Sequence, residues 1–166
     1  MGRPPEQPGA EVVIRHSVRA LMIDPAERVL LLAGKDDAGR PFWFTPGGGQ
    51  EASETTEATL RRELREETGL VDVALGAELW RRRGAATWGG ITYDCRERCF
   101  LARVAAFAPE TSGFTELERR EIAGVRWWSV EELATATDRL VPGSLAELVR
   151  AVLRDGPPPR PLILET

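Results

Sequence analysis

The sequence predicts a mixed α/β (α+β) domain, and three observations carry that reading. Apolar runs of strand length alternate with turns rich in Gly, Pro and Asp over most of the chain. An acid-rich stretch between Thr55 and Gly69 has helical spacing, and two more helices are announced near the C-terminus by capping-box starts. At 166 residues and 42% hydrophobic content, one compact domain with a substantial core is expected.

Residues 1–10 are rich in Pro and Gly and read as a disordered segment, ahead of a single domain over 11–156 and a Pro-rich tail over 157–166. Val12 to Ile23 and Arg28 to Leu32 read as strands around an Asp24-Pro25 turn, and Trp43 to Thr45 as a short strand. Thr55 suits an N-cap and Gly69 a C′ stop, which bounds a helix of about three turns. Val71 to Leu75 and Glu78 to Ala85 read as extended. Thr87-Trp88-Gly89-Gly90 reads as a hairpin turn into a long strand from Ile91 to Val104, and Gly124 to Ser129 as a last strand. Ser129 with Glu132 and Ser144 with Glu147 open two helices. The second carries the apolar stripe Leu145, Leu148, Val149 and Val152 and ends at Gly156. Beyond it the tail is extended, with Leu162-Ile163-Leu164 either frayed or docked on a partner subunit, which leaves a homodimer open.

Composition narrows the function classes. A net charge of −4 and a pI near 5.2 argue against nonspecific nucleic-acid binding. No apolar run reaches the ~18–20 residues that span a bilayer, so no membrane partner is expected. The N-terminal residues lack the apolar core of a signal peptide. Cys95 and Cys99 stand four apart in an expected strand, about 13 Å at ~3.3 Å per residue and too far for a disulfide. A reducing, cytoplasmic setting fits this best. His16 is the only histidine, so a zinc ligand set is missing. Lys35 is the only lysine, a bias that genome composition explains best. Arg81-Arg82-Arg83 could line a phosphate-rich cleft, but strand alternation turns only part of the run toward any one ligand.

The chemistry concentrates between Gly48 and Leu70. On the helix, Glu63, Glu66 and Glu67 fall at i, i+3 and i+4 and share a face, while Arg61 and Arg65 project away from it. Like charges at this spacing cost roughly 0.2–0.5 kcal/mol per pair, so something should offset them. Mg²⁺ takes carboxylate oxygens but keeps waters and substrate phosphates, and such a site suits this cluster. Gly47, Gly48 and Gly49 stand just ahead of it and permit close backbone approach, with amides available to a phosphate. A Pro-Gly turn alone would explain the glycines; their attachment to the acidic helix is what points to a metal-bound pyrophosphate.

At these residues the chain resembles the Nudix hydrolase family. Its signature is a glycine, five residues, a glutamate, seven residues, then Arg-Glu-apolar-x-Glu-Glu-x-Gly-apolar. Gly48, Glu54, Arg62, Glu63, Leu64, Glu66, Glu67, Gly69 and Leu70 fill all nine fixed positions within 23 residues. The resemblance implies a mixed β-sheet between helices, with the signature as a loop-helix-loop. It also implies Mg²⁺- or Mn²⁺-dependent hydrolysis of a nucleoside diphosphate linked to another group, so a nucleotide-type small molecule is the expected partner. By position, Glu63, Glu66 and Glu67 are the implied metal ligands, with Glu66 or Glu67 as base and the carbonyl of Gly47 or Gly48 completing the set. Arg62 and Glu54 are the implied orienting pair. A further glutamate ahead of a late strand would be Glu121, with Glu118 and Glu116 behind it. One departure is Thr45, where the family usually carries a large apolar residue.

Water is the simplest nucleophile, since no Ser-His or Cys-His arrangement is supported. The alternative is a non-catalytic Nudix-type sensor, which would often lack one of these glutamates. An isomerase on the same fold would want a placed cysteine. For base stacking, Trp43, Phe44, Trp80, Trp88 and Tyr93 are candidates, each also explained by packing. Of Trp127 and Trp128, alternation buries one and turns the other outward.

Overall fold

The computed structural model describes residues 11–165 except 89, 110–115, 117, 118, 120 and 121. The expectations for residues 1–10, Glu118 and Glu121 therefore lie outside the described residues.

The chain runs β1 (Val12–Ile23), β2 (Val29–Lys35), β3 (Pro41–Phe44), β4 (Gly47–Gly49), α1 (Thr56–Thr68), β5 (Leu75–Trp88) and β6 (Ile91–Arg103). It continues with β7 (Gly124–Trp128), α2 (Val130–Ala134), β8 (Arg139–Val141), α3 (Leu145–Asp155) and β9 (Leu162–Leu164). The strands form one mixed sheet in the order β8-β3-β2-β1-β6-β5-β9, with β4 on β1 and β7 on β2. β1 runs parallel to β6 and antiparallel to β2 and β4.

Helices cover both faces of this sheet, and β1 shows why. Its residues alternate, sending Val18, Ala20 and Met22 to a cluster with Leu60 and Leu64 of α1. Leu21 and Ile23 go to the other cluster, with Leu145, Val149 and Val152 of α3. A strand buried on both sides reads as a continuous apolar run, as Ala20 to Ile23 does. The sheet between helices that the resemblance implied is thus borne out. No helix among the described residues is long and apolar enough to cross a membrane.

Three expectations are corrected. Gly47–Gly49 form a strand rather than a loop: Gly47 pairs with Arg19 and Gly48 with Val18. Ser144 makes no capping hydrogen bond, because its backbone (φ −85°, ψ 15°) is not the extended shape that aims a cap at the helix amides. Ser129, in extended geometry, does close its capping box with Glu132. The end of the tail is not frayed, since Leu162–Leu164 pair in parallel with Trp80–Arg82 of β5. An open sheet edge recruits such a segment, and Leu164 packs against the core as it pairs.

The tryptophans divide by alternation, but both faces are covered. Trp128 is buried near α3, and Trp127 packs on the opposite side, donating to the Phe107 carbonyl at 3.0 Å. Cys95 and Cys99 are both free thiols. Thr45 is buried, and burial pushes up the pKa of the Cys99 thiol.

Candidate active site

The Thr55 side chain caps α1 by accepting from the Ala58 amide at 3.1 Å, and Gly69 closes it in the left-handed region at φ 81°. Leu60 and Leu64 anchor the helix on the sheet, which fixes its rotation and turns Glu63 and Glu67 inward toward β4. Glu67 accepts the Gly47 amide at 2.9 Å. The Glu63 carboxyl lies where a side chain on residue 48 would stand, 2.4 Å from an ideal Cβ. A Cβ on residue 47 would lie 2.0 Å from the Val18 carbonyl, and its φ of 136° disfavours any side chain as well. These two glycines are required for close approach, to β1 and to the acids.

One guanidinium organises the cluster. Arg62 forks onto Glu54 (2.5 and 3.0 Å), reaches Glu63 at 2.9 Å and Glu66 at 3.5 Å, and donates to the Gly49 carbonyl at 3.1 Å. Arg62 thus brings a positive charge onto the acidic face of α1. Arg61 turns away as expected, to Glu57 and the Val73 carbonyl. The bond from Arg62 holds the Glu54 carboxyl near 2. Glu63 goes the other way, raised chiefly by burial and only partly restrained by Arg62.

The donor set suits a hard divalent cation: clustered carboxylates beside backbone carbonyls. Among the described residues, no three such side chains converge tightly enough to grip an ion. As they stand, Glu67 bonds Gly47 and Glu63 bonds Arg62. The Gly47 carbonyl accepts from Arg19 at 2.7 Å.

Arg19 was not legible as a site residue. Its Nε contacts Glu97 at 3.3 Å, and its guanidinium lies 5.5 Å from the centre of the Phe44 ring. Glu97 also meets Arg82 at 3.5 Å. These residues line a cavity of about 860 Å³ together with Lys35 and Phe42. The available signal was a charged residue within an otherwise apolar strand segment. Of the aromatic candidates, Phe44 lines the cavity. Trp80 is buried in the core, and Trp43 packs edge-on against Trp128 at 5.0 Å while donating to Asp138. Tyr93 is half-buried on the long hairpin, and the side chain of Trp88 lies outside what the structure describes. Glu116 is exposed.

The profile of the NUDIX domain matches residues 13–150, and the chain belongs to the Nudix hydrolase family. Among solved structures it is similar to the MutT protein from Methanosarcina mazei Go1: 23% identity, 87% of this chain and 96% of that one, TM-score 0.65. It is also similar to the NUDIX domain of Shewanella oneidensis NrtR complexed with ADP ribose: 19% identity, 86% and 89% covered, TM-score 0.63. A C. elegans Ap4A hydrolase binary complex aligns at 17% identity over 84% of this chain and 98% of that one, TM-score 0.59. At these identities the likeness is one of fold. No curated protein matches the chain.

Proposed function

We propose that this Nudix hydrolase cleaves the pyrophosphate linkage of a nucleoside diphosphate joined to another group, using water as the nucleophile and Mg²⁺ or Mn²⁺ as cofactor. The observation that carries this reading is the seating of Glu63 and Glu67 against the glycine strand, with Arg62 and Glu54 locked beside them.

Glu63, Glu66 and Glu67 would hold the cation, with the carbonyl of Gly48 or of Gly47, which now accepts from Arg19, as backbone ligand. When bound, such an ion offsets the charge of the diphosphate and lowers the pKa of water. The chain's own groups do the positioning. Arg62 and Glu54 orient the carboxylates, and the Gly47 amide fixes one oxygen of Glu67. Glu66 or Glu67 takes the proton of the attacking water. Glu121, three residues ahead of β7, is assigned as a further acid. We place the nucleoside in the cavity bounded by Phe44 and Arg19, where the ring offers a stacking face.

The test is release of phosphate or pyrophosphate across nucleoside triphosphates, ADP-ribose, nucleotide sugars and dinucleoside polyphosphates, with Mg²⁺, Mn²⁺ or EDTA. Turnover abolished by EDTA is the expected result. Tight nucleotide binding with no turnover on any substrate would replace this reading with the sensor.

A further inference from the structure

The arginine run of β5 divides between the two faces of the sheet. Arg82 pairs across to Glu97 and lines the large cavity, whereas Arg81 and Arg83 stand on the α1 side, directly opposite Arg98 and Arg96 of β6. Two cationic pairs facing each other across an antiparallel ladder are destabilising in themselves. Two carboxylates relieve them. Glu78 bonds Arg81 (2.7 Å) and Arg98 (2.9 Å), and Asp94 bonds Arg83 (2.8 Å) and Arg96 (2.9 Å). Four guanidiniums against two carboxylates leave an excess of two positive charges in a chain whose net charge is −4.

These arginines line a concavity of about 560 Å³, with His16, Ser17 and Gln50 on its wall and the Arg82–Glu97 pair shared with the large cavity. Its edge meets the start of α1, where Arg98 donates to the Thr56 hydroxyl at 3.3 Å and the helix dipole adds positive potential. Planar guanidiniums already held in place by carboxylates lose little freedom on binding phosphate, which they match two bonds at a time. Ile163 of β9, 73% exposed, forms an apolar lip.

We propose that this cavity is a second anion site, separate from the carboxylate cluster, for a small, multiply phosphorylated compound. Polyphosphate oxygens would bind these guanidiniums in competition with Glu78 and Asp94. The cavity meets the proposed nucleoside cavity at Arg82 and Glu97, but Arg81, Arg83, Arg96 and Arg98 make no bond to Glu63, Glu66 or Glu67 among those described.

Calorimetric titration of the full chain with inorganic tripolyphosphate, in EDTA, tests this. Wild type should bind and R83Q/R96Q should bind about tenfold more weakly or worse, the loss of two charge-assisted contacts. R83K/R96K should recover part of the affinity, and D94N should tighten binding by removing a competing carboxylate. Unchanged circular dichroism would confirm that the variants fold. Absence of binding by wild type, or equal affinity in wild type and R83Q/R96Q, overturns the proposal. So does an affinity that responds to E67Q but not to the arginine pair, since the anion would then lie at the carboxylate cluster.

Discussion

On α1, the one guanidinium of Arg62 contacts Glu54, Glu63 and Glu66, whereas on the β5–β6 hairpin each of two carboxylates contacts two guanidiniums. The charge arithmetic is nearly inverted, and the burial is too. Glu63 and Glu67 are 8% and 3% exposed, while the Arg83 side chain is 70% exposed. Water screens the hairpin ions, so their mutual repulsion is mild and the ladder adds little stability. The acids on α1 are shielded from water, and gathering them is tolerable only because Leu60 and Leu64 hold the helix down. An ion-rich cluster that the core must hold in place is the stronger mark of function.

The largest effect should come from Glu67→Gln, which removes one charge from the buried cluster without changing its shape. Turnover should fall about a hundredfold or more while the thermal midpoint stays put. Wild-type turnover would exclude Glu67, and a matching loss in Glu66→Gln would make the two act as a unit. The glycines divide the site next. Gly47→Ala meets backbone at 2.0 Å in a strained conformation, and should cost at least ~1–3 kcal/mol of stability in a denaturant melt. Gly48→Ala meets only the flexible Glu63 carboxyl, so it should lower turnover more than stability. Equal effects of both on stability would mean that Glu63 cannot give way.

Arg62→Lys keeps the charge but loses the fork onto Glu54, and should reduce metal affinity or turnover roughly 10- to 100-fold. Glu63 gives a pH test of its burial. Its folded pKa lies above the ordinary 4.5, so ionising it costs stability above that folded pKa and nothing below 4.5. Glu63→Gln should therefore gain on wild type in EDTA as pH rises from 4 to 7. A constant difference would remove burial as the cause. Asp94 has the opposite sign and the smallest expected effect. Its folded pKa is about 2 against an ordinary 3.8, so its stabilisation is full above 3.8 and lost as pH falls through about 2. Asp94→Asn should flatten that acid limb slightly, and a large change at pH 7 would mean the ladder is not screened.

Much of this molecule follows from short-range rules. Thr55 and Gly69 bound α1 because a cap and a left-handed stop act within a turn of the helix. The i, i+3, i+4 spacing put Glu63, Glu66 and Glu67 on one face, and the Gly47-Gly48 pair announced a close approach. The alternation of Arg81, Arg82 and Arg83 required their division between two faces. Periodicity names the residues that share a face; it is silent on what lies opposite.

The partners were settled by tertiary structure. That Gly47–Gly49 would pair as a strand with β1, rather than wrap a phosphate, depended on Val18 and Arg19 being brought alongside from some thirty residues away. Arg19 became part of the site only because parallel pairing with β6 set it beside Glu97. Leu162–Leu164 found β5 because the sheet ended there with an edge to fill. Local propensity and spacing are written in consecutive residues, but pairing across a sheet depends on which distant strand arrives. Only the folded chain determines that.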